Sequence, residues 1–511
     1  MQESLVELYL KRENKIAITS GFLAYIANLE TVAQVAPFVA EKIVQELADQ
    51  RNNIKLIASE NFTSLATQCA MGNLLTDKYA EGIPEKRYYA GCDNVDAIEA
   101  DAVEKARELF GRQGAAEHAY VQPHSGADAN LIAFWAILRK HVEIPETLEF
   151  NVKDISELSD DEWKSVRQSL GNQRILGLSL SSGGHLTHGY QRNISAKMFE
   201  AHSYQVSPET HLLDYDEIEK QALEIKPLIL LAGYSAYSRH IDFKRMREIA
   251  DKAGAILMVD MAHFAGLVAG KVFEGENNPM PYAQMVTTTT HKTLRGPRGG
   301  MILCTAEYAE HVDKGCPMVM GGPLPHVIAA KSVSFTEALK PEFQDYAQNI
   351  VKNARALSEG FIENGIKVIT GGTDNHIVLI DVTPFGITGF QAESALRDCG
   401  ITLNRNTIPF DQNSPLVTSG LRLGTPAVTT LGMGETEMAE IASTVKTILS
   451  STTALPAKSG MSKYKYQTDE TVKNQSHKRI KELLDKFPLY PNIDVGFLTE
   501  HFISKSKSGV I

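Results

Sequence analysis

A lysine set between a β-branched run and a glycine-rich turn is the strongest chemical signal in this sequence of 511 residues. Residues 286–290 (VTTTT) are uncharged and predict a buried strand, and Lys292 follows just ahead of a Gly/Pro turn. Burial there, with Arg295, Arg298 and His291 nearby, is expected to lower the pKa of the lysine amine. An unprotonated amine can form a Schiff base with an aldehyde cofactor. The alternative is a strand-end lysine that caps a loop.

A second strand offers an acid that could work with this lysine. Residues 255–265 (AILMVDMAHFA) predict a buried strand that ends at Asp260, with His263 three residues later. Because ligands bind at the carboxyl ends of strands in open α/β sheets, Asp260 and Lys292 are expected to face one crevice. A carboxylate paired with a ring nitrogen keeps that nitrogen protonated, so the pair indicates pyridoxal phosphate. The alternative for Asp260 is a cap on the following helix.

Two further segments could bind anions. The loop at residues 122–126 leaves a predicted strand and opens a helix over 128–140, so the helix amides and the Ser125 hydroxyl can hold a phosphate, with Gly126 allowing close approach. Arg422 lies between apolar residues on a predicted strand, where a half-buried guanidinium needs an anion. The carboxylate of an amino acid fits that need, and an internal salt bridge is the alternative.

The elements that must position these residues form an α/β pattern. Mostly continuous apolar runs separated by helical stretches predict a mostly parallel sheet sandwiched by helices. The predicted strands of this sheet are 119–122, 175–180, 228–232, 256–259, 285–289 and 301–304. After a helix over 341–364, the strands 368–369 and 377–380 and a helix over 389–399 begin a smaller α+β unit. We therefore predict a helical arm (1–50), a large cofactor-binding domain (51–340) and a small C-terminal domain (341–511).

Composition argues against several classes of protein. With 43% apolar and 22% charged residues, the chain can bury a large core, and its net charge of −11 argues against a nucleic-acid surface. Five cysteines without a CxxC pair argue against a disulfide framework or a zinc site. The N-terminus lacks the pattern of a signal peptide, and Glu30 and Glu41 interrupt the apolar region 16–44. We expect a cytoplasmic protein with no membrane span.

A series of long segments in one order resembles the serine hydroxymethyltransferases, pyridoxal-phosphate enzymes of the aspartate-aminotransferase fold type. The segments are LIASENFTS, KYAEGIPEKRYYAGCDNVD, VQPHSG, GGHLTHG, SAYSR, VDMAHFAGL, TTTTHKTLRGPRGG, GGPL, GGTDNH and TSGLRLGTPA. The resemblance implies transfer of the serine hydroxymethyl carbon to tetrahydrofolate, giving glycine and 5,10-methylenetetrahydrofolate. It also implies a homodimer or homotetramer with shared active sites.

The resemblance also assigns roles to residues, and it implies no metal. The catalytic residues are Lys292, Glu81, Asp260, His263 and Tyr89. The cofactor contacts are Tyr79, Ser125, Gly126, Ser235, Asp260, His263, His291, Lys292 and Gly322. The substrate contacts are Ser59, Glu81, Tyr88, Tyr89, Arg298, Asn406 and Arg422. Within this set Tyr79, Glu81, Tyr89 and Gly322 are expected to serve the site of the partner subunit.

Several positions depart from the family pattern. Most members carry a histidine that stacks on the cofactor ring where we align Ser182, so we expect a looser ring and measurable alanine racemisation, both reversed by Ser182→His. A family serine is replaced by Ala127, and residues 318–320 (MVM) replace glycines and a glutamine before GGPL. The acidic stretch 143–172 predicts a partly helical surface insertion.

Three alternatives follow from these departures and from the fold. The altered positions leave threonine aldolase or alanine racemase activity as rival functions, and a catalytically silent binding protein is a third.

The pair His185 and His188 matches HxxH, but without a third ligand in the sequence we interpret it as structural rather than as a metal site.

Overall fold

The computed structural model describes residues 3–458 and 460–503. Its strands are β1 Ile54–Lys55, β2 Gly82–Ile83, β3 Lys86–Arg87, β4 His118–Tyr120, β5 Arg174–Leu178, β6 Glu200–Tyr204, β7 Ile229–Gly233, β8 Ile256–Asp260, β9 Met285–Thr289, β10 Gly300–Cys304, β11 Lys367–Val368, β12 Ile377–Asp381, β13 Ile401–Thr402, β14 Asn404–Asn406, β15 Gly420–Gly424, β16 Thr452–Pro456 and β17 Met461–Thr468.

The α-helices lie between and around these strands. They are α1 Leu5–Lys11, α2 Ser20–Val35, α3 Pro37–Asn52, α4 Leu65–Met71, α5 Asp93–Phe110, α6 Gly126–Leu138, α7 Ile144–Glu149, α8 Asp160–Gly171, α9 Ser195–Met198, α10 Tyr215–Ile225, α11 Phe243–Ala253, α12 Ala265–Ala269, α13 Ala309–Asp313, α14 Gly315–Met318, α15 Pro325–Ala338, α16 Pro341–Glu363, α17 Gly389–Asp398, α18 Pro426–Thr430, α19 Glu435–Ser450, α20 Glu470–Lys486 and α21 Val495–Phe502. A π-helical turn at Arg139–Glu143 joins α6 to α7.

A seven-stranded sheet in the order β4-β10-β9-β8-β7-β5-β6 forms the centre of the molecule. The neighbours from β9 to β6 pair in parallel, and β10 is antiparallel to both β9 and β4. This confirms the prediction of a mostly parallel sheet between helices. Six of the strands match predicted ones to within about two residues, and β6 was not predicted.

Alternation along the strands divides the core into two layers. Val259 on β8 contributes to the layer that contains Ala106 of α5 and Met246 of α11. Its neighbour Met258 contributes to the opposite layer, which contains Ile132 of α6. Side chains on a strand point alternately to the two faces, so strands covered by helices on both sides are apolar throughout.

A smaller antiparallel sheet in the order β11-β12-β15-β14 follows in sequence and shares a core with α17 and α19. The long helix α16 contributes to two cores, with Phe343 in the core of the large sheet and Phe361 in that of the small one. Lys340, the predicted domain boundary, is the N-cap of this helix. The three-part domain division stays a prediction.

The N-terminal helices pack against the C-terminal segment of the described residues. Tyr9 of α1, Phe22 of α2 and Val44 of α3 share one buried cluster with Leu489 and Phe497 from the C-terminal segment. The ring of Tyr9 lies 5.0 Å from that of Phe497, in an edge-on arrangement. The predicted helical arm is therefore joined to the last helix, α21.

The acidic stretch 143–172 is partly helical, as predicted. It contains α7 and α8, and α8 begins with a capping box formed by Ser159 and Glu162. Val166 anchors α8 by its buried side chain. Among the described residues, no helix has the length and apolar character that a membrane crossing requires.

Candidate active site

Asp260 and Lys292 lie at the same edge of the large sheet, as the sequence predicts. Asp260 is the last residue of β8 and pairs in register with Thr287 of β9. Lys292 follows the end of β9 by three residues, and its side chain is only 9% exposed. The two side chains are close enough for the charge of Asp260 to act on the pKa of Lys292.

The carboxylate of Asp260 is held by three donors. Its Oδ2 accepts hydrogen bonds from Asn130 Nδ2 at 2.9 Å and from His188 Nε2 at 3.1 Å, and its Oδ1 accepts one from the Ala262 amide at 3.0 Å. Burial opposes its ionisation, but the hydrogen bond and charge of His188 lower its pKa below the ordinary value. Asp260 is therefore a fixed negative charge in a buried setting.

Lys292 has the lowered pKa that the sequence predicts. Burial is the main cause, the charges of Arg422 and Arg298 act in the same direction, and Asp260 opposes them, so the pKa falls to about 8. The backbone carbonyl of Lys292 accepts a hydrogen bond of 2.8 Å from Asn61 Nδ2, which fixes the loop. The amine is therefore nucleophilic in a usable pH range.

The prediction that Arg295 helps to lower the pKa of Lys292 was wrong. The guanidinium of Arg295 lies over the ring of Tyr346, 4.4 Å from its centroid, and does not contribute to the pKa shift of Lys292. Arg295 has a positive φ of 61°, and the turn directs its side chain toward α16. Arg422, far away in sequence, is the arginine that acts in its place.

The interpretation of Ser182 as an empty stacking position was also wrong. Ser182 is buried, and its Oγ accepts a hydrogen bond from the Val206 amide at 3.3 Å. The imidazole that faces the site is that of His185, whose pKa burial lowers to about 4, with Asp260 opposing and Lys292 acting in the same direction as burial. The glycine turn at 183–184 separates the two residues, so that Ser182 packs into the protein while His185 faces the site.

His263 is held by a second histidine. Its Nδ1 lies 3.3 Å from Nε2 of His376, and the two rings stack with an interplanar angle of 18°. Burial, and then the charge of Lys292, hold the pKa of His263 well below its ordinary value. His263 therefore lies in the crevice as a ring that burial and the charge of Lys292 make harder to protonate.

Arg422 is available for an anion, as predicted. It lies on β15, where its Nε donates to Asn404 Oδ1 at 3.1 Å and its Nη1 donates to the Ser235 carbonyl at 2.7 Å. Burial lowers its pKa to about 10. No carboxylate lies within ion-pair distance of it in the described part of the chain, so the alternative of an internal salt bridge is not supported.

Other predicted substrate residues lie around β15. The Gly424 amide donates to the Leu56 carbonyl at 2.8 Å, which brings the segment that contains Ser59 to the end of this strand. Asn406 shares the edge strand β14 with Asn404, and its Nδ2 donates to the Thr407 carbonyl at 2.7 Å. The substrate roles of these residues, and of the exposed Arg298, stay predictions.

The predicted phosphate turn opens α6. Ser125 is the N-cap: its Oγ accepts from the Asp128 amide at 3.2 Å and donates to the Asp128 carboxylate at 2.8 Å. The first amides of a helix have no intrahelical acceptor. Since the Asp128 amide bonds to Ser125, those of Gly126 and Ala127 are the ones that can bind an anion. A Cβ at Gly126 would lie 2.7 Å from Thr289 Cγ2, so only glycine fits between the turn and β9.

His291 completes this end of the crevice. Its Nδ1 is buried without a hydrogen-bond partner, and burial, with Arg298 and Lys292, lowers its pKa to about 3. An orphaned buried nitrogen is costly, so the position fits a ligand that supplies the missing partner.

The remaining predicted residues form a second, exposed cluster. The rings of Tyr79 and Tyr89 lie 4.9 Å apart, and a Cβ at Gly322 would be 3.4 Å from the Tyr79 ring and 3.8 Å from Glu81. Tyr79, Tyr88 and Tyr89 are 57%, 67% and 46% exposed. Among residues 3–458 and 460–503, no hydrogen bond joins this cluster to Lys292, Asp260 or Arg422. The Gly322 carbonyl does lie 3.1 Å from Nε2 of His124, in the turn before α6.

Sequence reasoning did not find several residues that support the site. They are Asn61, Asn130, Thr187, His188, His376 and Asn404. The short motifs HLTHG and SGADAN carry a partial signal, because a buried amide or imidazole in them needs a partner. Asn404 and His376 carry none, since only the packing of the small sheet brings them to the crevice.

A third potential metal ligand is present beside HxxH. Ligand atoms of His185, His188 and Asp260 lie within 4.8 Å of one another. His188 and Asp260 are, however, hydrogen-bonded to each other, and His185 Nδ1 contacts Thr187 Oγ1 at 2.7 Å. The structural interpretation of the two histidines stays a prediction.

Comparison with known proteins gives one consistent answer. The chain matches the family model "Serine hydroxymethyltransferase" over residues 32–168 and 145–445. It is 56% identical over 503 residues to serine hydroxymethyltransferase of Treponema pallidum (strain Nichols), covering 98% of this chain and 87% of the relative. It is 56% identical over 470 residues to that of Mycolicibacterium smegmatis, covering 92% and 94%. It is 51% identical over 498 residues to that of Chlamydia trachomatis serovar D, covering 97% of this chain and 99% of the relative.

Proposed function

Because the chain belongs to the serine hydroxymethyltransferase family, we propose that it transfers the hydroxymethyl carbon of serine to tetrahydrofolate, giving glycine and 5,10-methylenetetrahydrofolate. The protein is thus a one-carbon transferase of serine and glycine metabolism. The observation that carries the proposal is the convergence of Lys292, Asp260 and the anion-free Arg422 in one crevice.

The crevice fits pyridoxal phosphate. When bound, this cofactor supplies an electron sink that weakens a bond at the Cα of an amino acid. Lys292 would hold the aldehyde carbon, and Asp260 would keep a proton on the ring nitrogen. The amides that open α6 and the orphaned His291 Nδ1 would hold the phosphate. The imidazole of His185, which the charges of Asp260 and Lys292 reach, would stack on the cofactor ring.

Substrate orientation falls to Arg422. Its planar fork can take the carboxylate of serine or glycine in a bidentate manner, and the bonds to Asn404 and Ser235 fix its direction. A carboxylate held in this way leaves the bonds at Cα in a defined orientation beside Lys292. The amine of Lys292 and the imidazole of His263, both with pKa values lowered by burial, are groups of the crevice that can accept or donate a proton there.

Glu81 is proposed to move the proton of the serine hydroxymethyl group, with Tyr89 beside it, in the site of a partner subunit. The cluster of Tyr79, Glu81, Tyr89 and Gly322 supports this assignment, since its tyrosine rings are exposed and no hydrogen bond joins it to Lys292, Asp260 or Arg422 in the described part of the chain. We propose a homodimer or homotetramer in which each crevice is completed by this cluster from its neighbour. Cytoplasmic location also stays a prediction.

The rival functions gain no support from the comparisons. The matched relatives carry the name serine hydroxymethyltransferase, and none of the three described above is named as a threonine aldolase or a racemase. A catalytically silent protein would not need a buried lysine with a lowered pKa beside an arginine that has no anion.

The test measures whether the purified chain forms glycine from serine in a tetrahydrofolate-dependent manner. Absorbance at about 420 nm measures the bound cofactor. The proposal requires both the absorbance and glycine formation that depends on tetrahydrofolate. Absorbance with racemisation or threonine cleavage, but without folate-dependent turnover, would favour the rivals. A chain that binds no cofactor would overturn the proposal.

A further inference from the structure

A second buried lysine lies behind the phosphate turn. Lys331 of α15 is completely buried, and its Nζ donates to the backbone carbonyls of Val121 at 2.5 Å, Pro123 at 3.1 Å and Gly300 at 2.8 Å. No carboxylate forms an ion pair with it in the described part of the chain. A buried charge whose only partners are neutral carbonyls is costly, so it calls for a compensating anion.

The three carbonyls flank the turn that opens α6. Val121 and Pro123 come just before the N-cap Ser125, and the Gly300 amide donates back to the Pro123 carbonyl at 2.9 Å. A Cβ at Gly299 would lie 2.6 Å from Lys331 Cε, so the chain leaves space for the lysine by placing a glycine there. The ammonium thus joins the turn, β10 and α15.

These hydrogen bonds also orient the turn. In a trans peptide the C=O and the N–H point in opposite directions. Because the Pro123 carbonyl points at Lys331, the N–H of His124 points away from it. The lysine therefore fixes the peptide plane that leads into the start of α6.

We propose that Lys331 is a positioning residue for the cofactor phosphate: its ammonium holds residues 121–126 and supplies the buried positive charge that a phosphate dianion at the start of α6 requires. The inference rests on the proposed function, because it takes the phosphate of pyridoxal phosphate as the anion. Burial lowers the pKa of Lys331 to about 7, with Glu99 opposing, as expected of a cation that lacks its counter-charge.

The test compares pyridoxal 5′-phosphate with pyridoxal, which lacks the phosphate. Both are titrated onto the full-length chain after its cofactor has been removed, and the ratio of the two dissociation constants is measured. The variants are Lys331→Gln, which keeps amide donors for the carbonyls, and Lys331→Met, which keeps neither donors nor charge. We expect the preference for the phosphorylated ligand to fall by about tenfold or more in both variants, with pyridoxal affinity little changed.

Lys105→Met is the matched control. Lys105 contacts Ser332, the residue after Lys331, at 3.2 Å, but it lies partly exposed and bonds none of the three carbonyls. Its removal should leave the ratio unchanged. Because the ratio comes from one preparation, the fraction of folded protein cancels.

Two results would overturn the inference. An unchanged ratio in Lys331→Gln, or failure of both variants to fold, would make the lysine a structural group without a role toward phosphate. A wild-type chain that captures neither ligand would instead refute the proposed function. The two failures are therefore distinguishable.

Discussion

Burial gives Lys292 its chemistry. An ordinary lysine is almost entirely protonated at neutral pH, whereas a pKa of about 8 leaves a useful fraction of Lys292 as the free amine. We predict that the rate at which the cofactor-free chain captures pyridoxal phosphate rises with pH, with a midpoint at about pH 8. Capture is followed by absorbance at pH values from about 6.5 to about 9.5, a range that includes the midpoint.

Lys292→Ala is the control for this measurement. Borohydride treatment of the wild-type chain with its cofactor, followed by peptide mapping, should label Lys292, and the variant should take no label. Label on another lysine would refute the assignment. A flat pH profile would show that the amine does not limit capture.

Ser182 and His185 illustrate how strongly a residue's role depends on local packing. Because Ser182 is buried and bonded to the Val206 amide, Ser182→His should overpack the turn and destabilise the protein by about 1–3 kcal/mol, without improving cofactor retention. His185→Ala should weaken cofactor binding, because it removes the ring that faces the crevice. Chemical denaturation and cofactor dissociation rates measure the two effects. Tighter cofactor retention in Ser182→His would restore the original interpretation.

The elements differ in how well the sequence predicts them. Strands such as β8 and β9 are apolar throughout because helices cover both faces, and such runs are easy to recognise. Strand β6 (EAHSY) lies at the sheet edge with mostly polar and partly exposed residues, so no apolar run marks it. Asp260 and Lys292 were predictable, because the first is the last residue of an apolar strand and the second follows the end of another. His376 and Asn404 were not, because contacts distant in sequence bring them to the crevice.

Tyr490, in the C-terminal segment, supports the loop behind Lys292. The Tyr490 hydroxyl donates to the Thr63 carbonyl at 2.7 Å and accepts from Gln68 Nε2 at 2.8 Å. Asn61, two residues before Thr63, donates to the Lys292 carbonyl. The segment is thus connected to the crevice through a single loop.

Tyr490→Phe should therefore lower the free energy of unfolding by about 1–3 kcal/mol, because two part-buried groups lose their partner. Denaturant unfolding measures the change. Tyr464→Phe is the matched control: this tyrosine is 51% exposed, and its hydroxyl has no hydrogen-bond partner among residues 3–458 and 460–503. Its effect should stay within about 0.5 kcal/mol. Equal effects of the two substitutions would show that the contact contributes no stability.

At the scale of the whole molecule, the proposal that the exposed tyrosine cluster completes the crevice of a partner subunit predicts complementation between subunits. Lys292→Ala chains should be inactive, and Glu81→Gln chains should keep the cofactor spectrum but lose on the order of 10² in folate-dependent turnover. In a mixed dimer, one site would contain both substitutions and the other would contain neither.

Dissociating and reassociating equal amounts of the two variants should therefore restore roughly a quarter of wild-type activity, since half of the dimers are mixed and each has one intact site. Activity is assayed before and after mixing. Mixing without any recovery would show that each site takes Lys292 and Glu81 from the same chain.

The packing of α1 to α3 against α21 has a consequence for synthesis of the chain. The arm is translated long before Leu489 and Phe497, which complete its core. Until then, aromatic residues such as Tyr9 and Phe22 lack part of the surface that covers them. A nascent chain stalled before residue 489 would therefore expose an apolar arm to chaperones, and translation of the segment that contains Leu489 and Phe497 would bury it.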